Sequence, residues 1–413
     1  MGSLPEDLDR APLLVEEEAV VELAPMAAPA TPADWARRNL FSSWFSGLLT
    51  VVVGAGSVYL AYRLLRWVFV TADWTVVKAN LRLFMAGRFP EEEIWRVWAV
   101  GYLVVFLAGA SWGIAATKRA WSPARIVLRL VLLGLLVGTL VYLLEGVRIW
   151  LLIGAMAATF AVGIAVGRAG GRRLRLPLGV AWALAFPFVV VILRAFGGVP
   201  PRLWGGFVLN VLLAVVGIFL SFPVGILLAL GRRSTLPAIR LFSVGFIEFI
   251  RGVPLVTLLI FGQFVLPLFL PPGMRLPDII RAMTMFTIFS AAYVAEIVRG
   301  GMQGIPEGQY EAARALGLST TRMMAMIILP QALRSTIPAM ISHFISLFKD
   351  TSLIVILGLP ELLSLARRAP VNLRFIGREK EALLAAALIF WVLAFSMSRW
   401  SQRLERRLGV GER

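Results

Sequence analysis

Long apolar runs separated by short polar segments extend over most of this 413-residue chain. Several runs exceed the roughly 20 residues that a helix needs to cross a hydrocarbon core of about 30 Å. The pattern therefore predicts an all-α, polytopic membrane helical bundle with about ten spans. We expect these spans at approximately 46–70, 95–116, 126–144, 149–167, 176–193, 205–230, 242–270, 279–298, 335–358 and 382–400.

A Gly/Pro-rich connector, Gly197–Gly206, divides the predicted spans into two groups of five. We predict an N-terminal membrane extension over residues 41–200 and a membrane core over residues 201–402, followed by a cytoplasmic tail at 403–413. The extension carries no motif that points to a function. It either braces the core, contacts a neighbouring subunit or packs passively.

The first 34 residues are rich in Glu, Ala and Pro and carry eight acids against one base. They lack the basic start and apolar core of a signal peptide. Such a composition cannot bury enough apolar surface to fold alone. We predict a disordered, acidic cytoplasmic tail over residues 1–40.

The net charge of +17 reflects arginines scattered at the ends of the spans. This distribution fits membrane flanks and not a groove for nucleic acid. With the N-terminus inside, Lys and Arg show a modest cytoplasmic excess, although the basic loop 361–381 falls outside. The chain has no cysteine, which excludes disulfides and thiolate metal sites.

One polar segment between two apolar runs has the character of an exposed helix. It begins Glu311-Ala312-Ala313, reaches Gly317 after three more residues and ends at Leu329-Pro330. Small alanines let another protein approach closely, and Gly317 suits the left-handed position after a helix end. The order and spacing resemble the EAA loop of ABC importer permeases, here within 300–330. That resemblance implies a helix that inserts into the ATPase subunit; an ordinary interfacial loop is the alternative.

Two charged clusters lie at membrane depth in the same half of the chain. Glu248 and Arg251 are three residues apart, so they are expected to pair, and Pro254 interrupts their helix. Tyr293 precedes Glu296 on the following span. Three alanines of that span are expected to permit close helix packing: Ala291, Ala292 and Ala295. These segments resemble stretches of polar amino-acid permeases, which implies a gate or pathway role; a structural ion pair and a packed tyrosine are the alternatives.

The span from Ser335 contains polar residues in an otherwise apolar run. Because an unpaired charge in hydrocarbon is costly, these side chains are expected to face the bundle interior, water or each other. Lys349 and Asp350 either contact the carboxylate and ammonium of an amino acid or form a structural ion pair. The run resembles a signature of amino-acid permeases at Ser342, Lys349, Asp350 and Ser352.

Together, the four stretches resemble the permease subunit of a type I ABC importer for polar amino acids, located in the bacterial inner membrane. The resemblance implies a cytoplasmic ABC ATPase dimer, a second homologous permease that forms a heterodimer, and a periplasmic amino-acid-binding protein. ATP and Mg would bind the partner ATPase, with no cofactor or metal in this chain. The chain has no phosphate-binding loop and no catalytic constellation, so it is not expected to be an enzyme.

An ion-gradient-driven secondary amino-acid transporter is the alternative function. It would use intramembrane acids such as Glu296 and Asp350 and usually shows paired, broken spans in two related halves. No such internal symmetry is evident in the sequence. A membrane-embedded enzyme is a second rival, disfavoured by the missing catalytic residues.

Overall fold

The computed structural model describes residues 31–116, 147–195 and 197–408. Within these ranges the chain is helical, and the β-type pairing is an isolated bridge between Gly206 and Glu361. The chain forms two compact units, Met1–Ala72 and Asp73–Arg413. The predicted boundary near residue 200 does not coincide with this division and stays a prediction.

The described part of the first unit consists of two helices. α1 (Pro32–Asn39) lies in the last part of the predicted disordered tail and starts at Thr31, whose hydroxyl caps a backbone amide. Residues 1–30 of that tail lie outside the described residues. α2 (Trp44–Arg66) is apolar on all sides and contains no buried residue, which is typical of a membrane span.

The second unit contains the remaining helices of the described chain. Their bounds, in chain order, are α3 (Thr75–Ala86), α4 (Ile94–Ala116), α5 (Val147–Gly170), α6 (Arg175–Arg194), α7 (Gly206–Arg232), α8 (Pro237–Gly252), α9 (Leu255–Ile260), α10 (Asp278–Gln303), α11 (Glu307–Ala315), α12 (Thr320–Met323), α13 (Leu329–Asp350), α14 (Leu362–Arg368) and α15 (Glu379–Leu408).

Helices α7 and α10 pack along their length at the centre of this unit. Their contact depends on small residues: a Cβ atom added at Gly225 would lie 2.6 Å from Cγ1 of Val294. Ala291, Ala292 and Ala295 of α10 are fully buried, as the sequence predicts. This close packing places the polar residues of both helices near the axis of the bundle.

Helices α4 and α5 of the extension form a second close pair. Gly109 and Gly113 of α4 face Gly163 and Gly167 of α5, so backbone meets backbone. A Cβ atom added at Gly167 would lie 2.1 Å from the carbonyl oxygen of Ala110. The same four-residue glycine spacing on both helices explains why they approach so closely.

The count of ten spans is not confirmed. Within the described residues, six helices are long and apolar enough to cross a membrane, or up to eight if each of two bent pairs is one span. The expected span 126–144 lies outside the described residues. The two spans expected at 149–167 and 176–193 correspond to one bent pair, with a 54° bend.

The span predicted at 242–270 is broken in the middle, and the break lies at Pro254, where the sequence predicted an interruption. Pro237–Gly252 and Leu255–Phe269 meet at an angle of 104°. Pro254 has no amide hydrogen, and its ring clashes with the preceding helical turn. It therefore ends α8 and occupies the N-cap of α9, where its fixed backbone angle is acceptable.

Candidate functional site

α11 is a short polar helix that lies against the bundle by one narrow side. Tyr310 and Ala313, three residues apart, are 5% and 1% exposed, whereas Glu311 and Ala312 are exposed. Leu316, just past the helix, is 78% exposed. The prediction of an exposed polar helix is confirmed, but Ala313 faces the bundle and is not part of the outer surface.

Gly317 ends this helix in the left-handed conformation, with φ of +71°. Its amide donates to the carbonyl of Arg314 at 2.9 Å, and the amide of Leu318 donates to the carbonyl of Ala313 at 3.2 Å. This pair of bonds is a Schellman motif, which satisfies carbonyls that the helix end would leave open. The predicted position of Gly317 is confirmed.

Leu329 and Pro330 lie inside a continuous helical segment that starts at Thr320. A π-helical turn, Met324–Ile328, joins α12 to α13. The wider turn accommodates Pro330, which cannot donate a helical hydrogen bond and whose ring needs space. Pro330 lies in the first turn of α13, in agreement with the prediction that the next span starts there, and the joined helical segment covers Thr320–Leu357.

Tyr310 connects α11 to the ends of two membrane helices, a role that sequence analysis missed. Its hydroxyl donates to the carbonyl of Met302, at the end of α10, at 3.1 Å. It accepts a hydrogen bond from Nη1 of Arg233, directly after α7, at 3.0 Å. The Arg233 guanidinium also lies over the Tyr310 ring, 5.4 Å from its centroid.

A cluster of three arginines and two glutamates joins α7, α8 and α10 near α11. Glu296 forms a bidentate pair with Arg299, with both carboxylate oxygens 2.9 Å from Nε. Nη1 of Arg232 lies 3.6 Å from Oε2 of Glu296, and Nη1 of Arg251 lies 3.7 Å from the same oxygen. Glu296 is therefore the common partner of cations on three helices.

The prediction that Glu248 pairs with Arg251 was wrong. No ion pair joins these two residues among the side chains that the structure describes. Glu248 instead accepts a hydrogen bond from Nη1 of Arg232 at 2.9 Å, while Arg251 turns towards Glu296. Residues three apart on one helix can pair, but the packing of α8 against α7 and α10 offers nearer partners. The prediction that both residues avoid lipid by forming ion pairs is confirmed.

Tyr293 extends this cluster towards the middle of the bundle. The Arg251 guanidinium lies 5.8 Å from the Tyr293 ring centroid. On its other side Tyr293 stacks on His343, with centroids 5.4 Å apart and an interplanar angle of 11°. The tyrosine therefore bridges the ionic cluster and the polar centre of α13.

His343 starts a chain of buried hydroxyls. The Ser290 hydroxyl donates to the Ser221 hydroxyl at 2.8 Å, and the latter donates to the carbonyl of Ile218 at 3.1 Å. Nε2 of His343 lies 2.9 Å from the Ser290 hydroxyl, so the imidazole forms the third polar group of this chain. Both serines are fully buried, and single serines within apolar runs were the signal that could have found them.

A cleft of about 600 Å³ between α13 and α15 contains two of the predicted pathway residues. Ser342 and Lys349 line it together with Trp391 and Phe395. Asp350 is not in its lining, and no ion pair within 4 Å joins it to Lys349 among the described side chains. Ser352 makes a local bond to the carbonyl of Lys349 at 2.9 Å.

A buried polar network at the other end of α7 was also missed. Asn210 donates to the Thr351 hydroxyl at 3.1 Å and to Glu361 at 3.2 Å, and it accepts from the amide of Leu362. Burial raises the pKa of Glu361, while the amides of Leu363 and Ser364 and the Asn210 side chain oppose this shift. The network ties the start of α7 to the start of α14.

No group of three or more His, Asp or Glu side chains with the geometry of a metal site occurs in the part of the chain that the structure describes. The polar residues described above form clusters of ion pairs and hydrogen bonds within the chain.

Comparisons with known proteins assign the family. The model of the binding-protein-dependent transport system inner membrane component matches residues 221–410. The inner membrane amino-acid ABC transporter permease protein YhdY of Escherichia coli is 36% identical over 403 residues, 91% of this chain and 93% of its own. The glutamate/glutamine/aspartate/asparagine transport system permease protein BztC of Rhodobacter capsulatus is 35% identical over 427 residues, 94% of this chain and 96% of its own.

A shorter relative, the probable glutamine ABC transporter permease protein GlnP of Bacillus subtilis, is 38% identical over 212 residues. The match covers 50% of this chain and 93% of that relative. The alternative of an ion-gradient-driven transporter finds no support in these relatives. The chain belongs to the amino-acid ABC transporter permeases, and it is an inner-membrane permease subunit that is not itself an enzyme.

Proposed function

We propose that this chain uses α11 as a lever that couples an ABC ATPase dimer to alternating access for polar amino acids. The observation that carries the proposal is the shape of this helix. It docks on the bundle through Tyr310 and Ala313 alone and exposes the rest of its surface. A helix held in this way can be displaced by a partner protein and can transmit that displacement to the bundle.

The exposed surface of α11 supplies the contact with the ATPase. Glu311 offers a carboxylate to a cation, Ala312 permits close approach, and Leu316, just before Gly317, adds an exposed apolar side chain. Leu329 and Pro330 start α13, so a shift of α11 and α12 is passed along this span. The family implies an ABC ATPase and a substrate-binding protein as partners; ATP and Mg would bind in the ATPase.

The cluster around Glu296 would move as one body with the lever. It ties α7, α8 and α10 at the end from which α11 starts. The 104° bend at Pro254 lies just beyond α8 and gives the chain a hinge there. We place the cytoplasmic gate at this cluster, with Arg251 and Tyr293 connecting it to His343.

The cleft between α13 and α15 is proposed as the part of the pathway that this subunit contributes. Lys349 would contact a substrate carboxylate, and Ser342 would add a hydroxyl. Asp350 and Ser352 would position the end of α13. A second, homologous permease would complete the pathway, and the heterodimer is proposed because half-length permeases such as the Bacillus relative exist.

The substrate class is proposed from the relatives. The Rhodobacter protein is named for transport of glutamate, glutamine, aspartate and asparagine, and it matches 94% of this chain. We extend the class of polar amino acids to this chain. Lys349 in the cleft fits a solute that carries at least one carboxylate.

The charge reversal Glu311→Lys tests the lever. We expect it to abolish ATP-coupled uptake by the complete transporter in proteoliposomes while leaving the protein inserted in the membrane. Thr321→Lys, an exposed position on α12, is the control and should transport normally. Normal uptake by Glu311→Lys would remove the coupling role from α11.

A further inference from the structure

A basic recess lies at the end of the molecule opposite α11. Its volume is about 350 Å³, and its lining includes Arg88, Arg202, Arg368, Asp278 and Pro360. Asp278 starts α10, whereas α11 follows the other end of this 26-residue helix, roughly 39 Å away. With α11 on the cytoplasmic side, the recess opens on the outer face.

The recess is shared by the extension and the core. Gly87, at the end of α3, has a φ of +64° and contacts the backbone of the connector: a Cβ atom added there would lie 2.5 Å from Cα of Gly205. The amide of Gly206 donates to the carbonyl of Pro360 at 2.7 Å. This close backbone contact holds Arg88 beside Arg202.

The three arginines of the recess form no ion pair with the side chains that the structure describes. Among the described side chains, no carboxylate lies within 4 Å of Arg88, Arg202 or Arg368, although Arg368 donates to the carbonyl of Gly358 at 3.2 Å. Asp278 is already paired with Arg281, at 2.6 Å. The recess therefore carries three guanidinium groups and one carboxylate in its lining, and this positive excess favours carboxylates, since the guanidinium fork matches their geometry.

We propose that this recess binds carboxylate side chains on the surface of the substrate-binding protein, so that the extension takes part in docking through Arg88. The inference rests on the importer function, which provides that partner. The three arginines are exposed. A small ligand is normally enclosed by its pocket. Exposed arginines are therefore better suited to contact with the surface of another protein.

The test measures binding of the purified, substrate-loaded binding protein of the same transport system to the complete transporter in nanodiscs. We expect Arg88→Glu and Arg202→Glu each to raise Kd by about three- to tenfold, chiefly through a slower association rate. The dependence of the association rate on salt should become weaker. Arg275→Glu, an exposed arginine on the same face outside the recess, is the matched control and should change Kd less than twofold.

A double variant Arg88→Glu/Arg202→Glu that binds the loaded binding protein as the wild type does would overturn the proposal. If that variant also loses direct binding of radiolabelled amino acid to the transporter, the recess is a small-molecule site. Because binding is measured without ATP, failure of the α11 lever in Glu311→Lys is a separate result.

Discussion

At the scale of single residues, Tyr310 combines packing with a hydrogen-bonding role. Its ring belongs to an apolar cluster with Met302, Ala313 and Met323. Its hydroxyl joins the ends of α7 and α10 through Arg233 and Met302. The Tyr310 side chain therefore joins α11 to two membrane helices both by packing and by hydrogen bonding.

Tyr310→Phe is predicted to weaken coupling without unfolding the helix. The ring and its packing remain, while both hydrogen bonds of the hydroxyl are lost. If these bonds exist in only one of two transport states, their loss shifts the equilibrium by about 1 kcal/mol, or roughly fivefold. Uptake per ATP hydrolysed, measured in proteoliposomes, should fall by about that factor.

A second tyrosine provides the control for this substitution. The hydroxyl of Tyr102, in α4, donates to the carbonyl of Leu152 at 3.4 Å. Tyr102→Phe removes a hydroxyl far from α11 in sequence and should leave the coupling ratio unchanged. Equal uptake per ATP hydrolysed in Tyr310→Phe and the wild type would show that the hydrogen bonds of the Tyr310 hydroxyl do not contribute to coupling.

At the scale of elements, the corner after α3 determines how the extension meets the core. Phe84 and Phe89 on either side of the corner are buried. A Cβ atom added at Gly206 would lie 2.6 Å from the carbonyl oxygen of Phe84. Two glycines that face each other thus allow a helix end to lie directly on the connector, in the same way that glycines join α4 and α5.

Gly87→Ala is predicted to separate α3 from the connector. A side chain at positive φ costs roughly 1–2 kcal/mol, and the added Cβ also clashes with backbone that has no room to move. The melting temperature of the purified protein should therefore fall markedly.

Gly273→Ala isolates the backbone contribution to this loss. Gly273 has a φ of +87° but nothing within 4 Å of an added Cβ. The Gly273→Ala variant should therefore lose only the stability that a side chain at positive φ costs. Its melting temperature should decrease less than that of Gly87→Ala. Equal decreases for the two variants would contradict the close contact at Gly87.

At the scale of the whole molecule, two polar centres lie at opposite ends of α7. The centre around Glu296 joins α7, α8 and α10 beside α11, and the centre around Asn210 joins α7 to α14 at the opposite end of α7. Alternating access needs two states whose contacts differ at both ends. The bundle thus has a specific set of bonds to tie its helices together at each end.

Glu296→Gln is predicted to uncouple ATP hydrolysis from transport. The substitution removes the negative charge shared by Arg232, Arg251 and Arg299, so the ends of α7, α8 and α10 are no longer held together. Partly exposed ion pairs contribute up to about 1 kcal/mol each, so the loss should reach about tenfold in uptake per ATP.

Glu248→Gln is the graded control because it removes only the pair with Arg232, in which the Glu248 side chain is 54% exposed. Its effect on uptake per ATP should stay below about threefold. If uptake per ATP falls as much in Glu248→Gln as in Glu296→Gln, Glu296 is not the central residue of the cluster. Transport assays of the two variants in parallel distinguish the cases.

Features that depend on neighbours in sequence were predictable for this chain. The length of apolar runs predicted helices such as α7 and α10, the polar stretch predicted α11, and Gly317 predicted its left-handed end. Ala291, Ala292 and Ala295 predicted a close helix contact. Each property follows from local backbone preference or from the spacing of side chains on one helix.

Interactions between distant segments depended on the packing of the helices. Glu248 pairs with Arg232 and not with Arg251, and the hydroxyl of Tyr310 bonds to Arg233, because helix packing sets which groups lie within 3 Å. Spacing along one helix is compatible with several such partners. The helical bundle and its exposed lever thus follow from local pattern, whereas the ion-pair cluster and the outer recess exist only once distant helices are packed together.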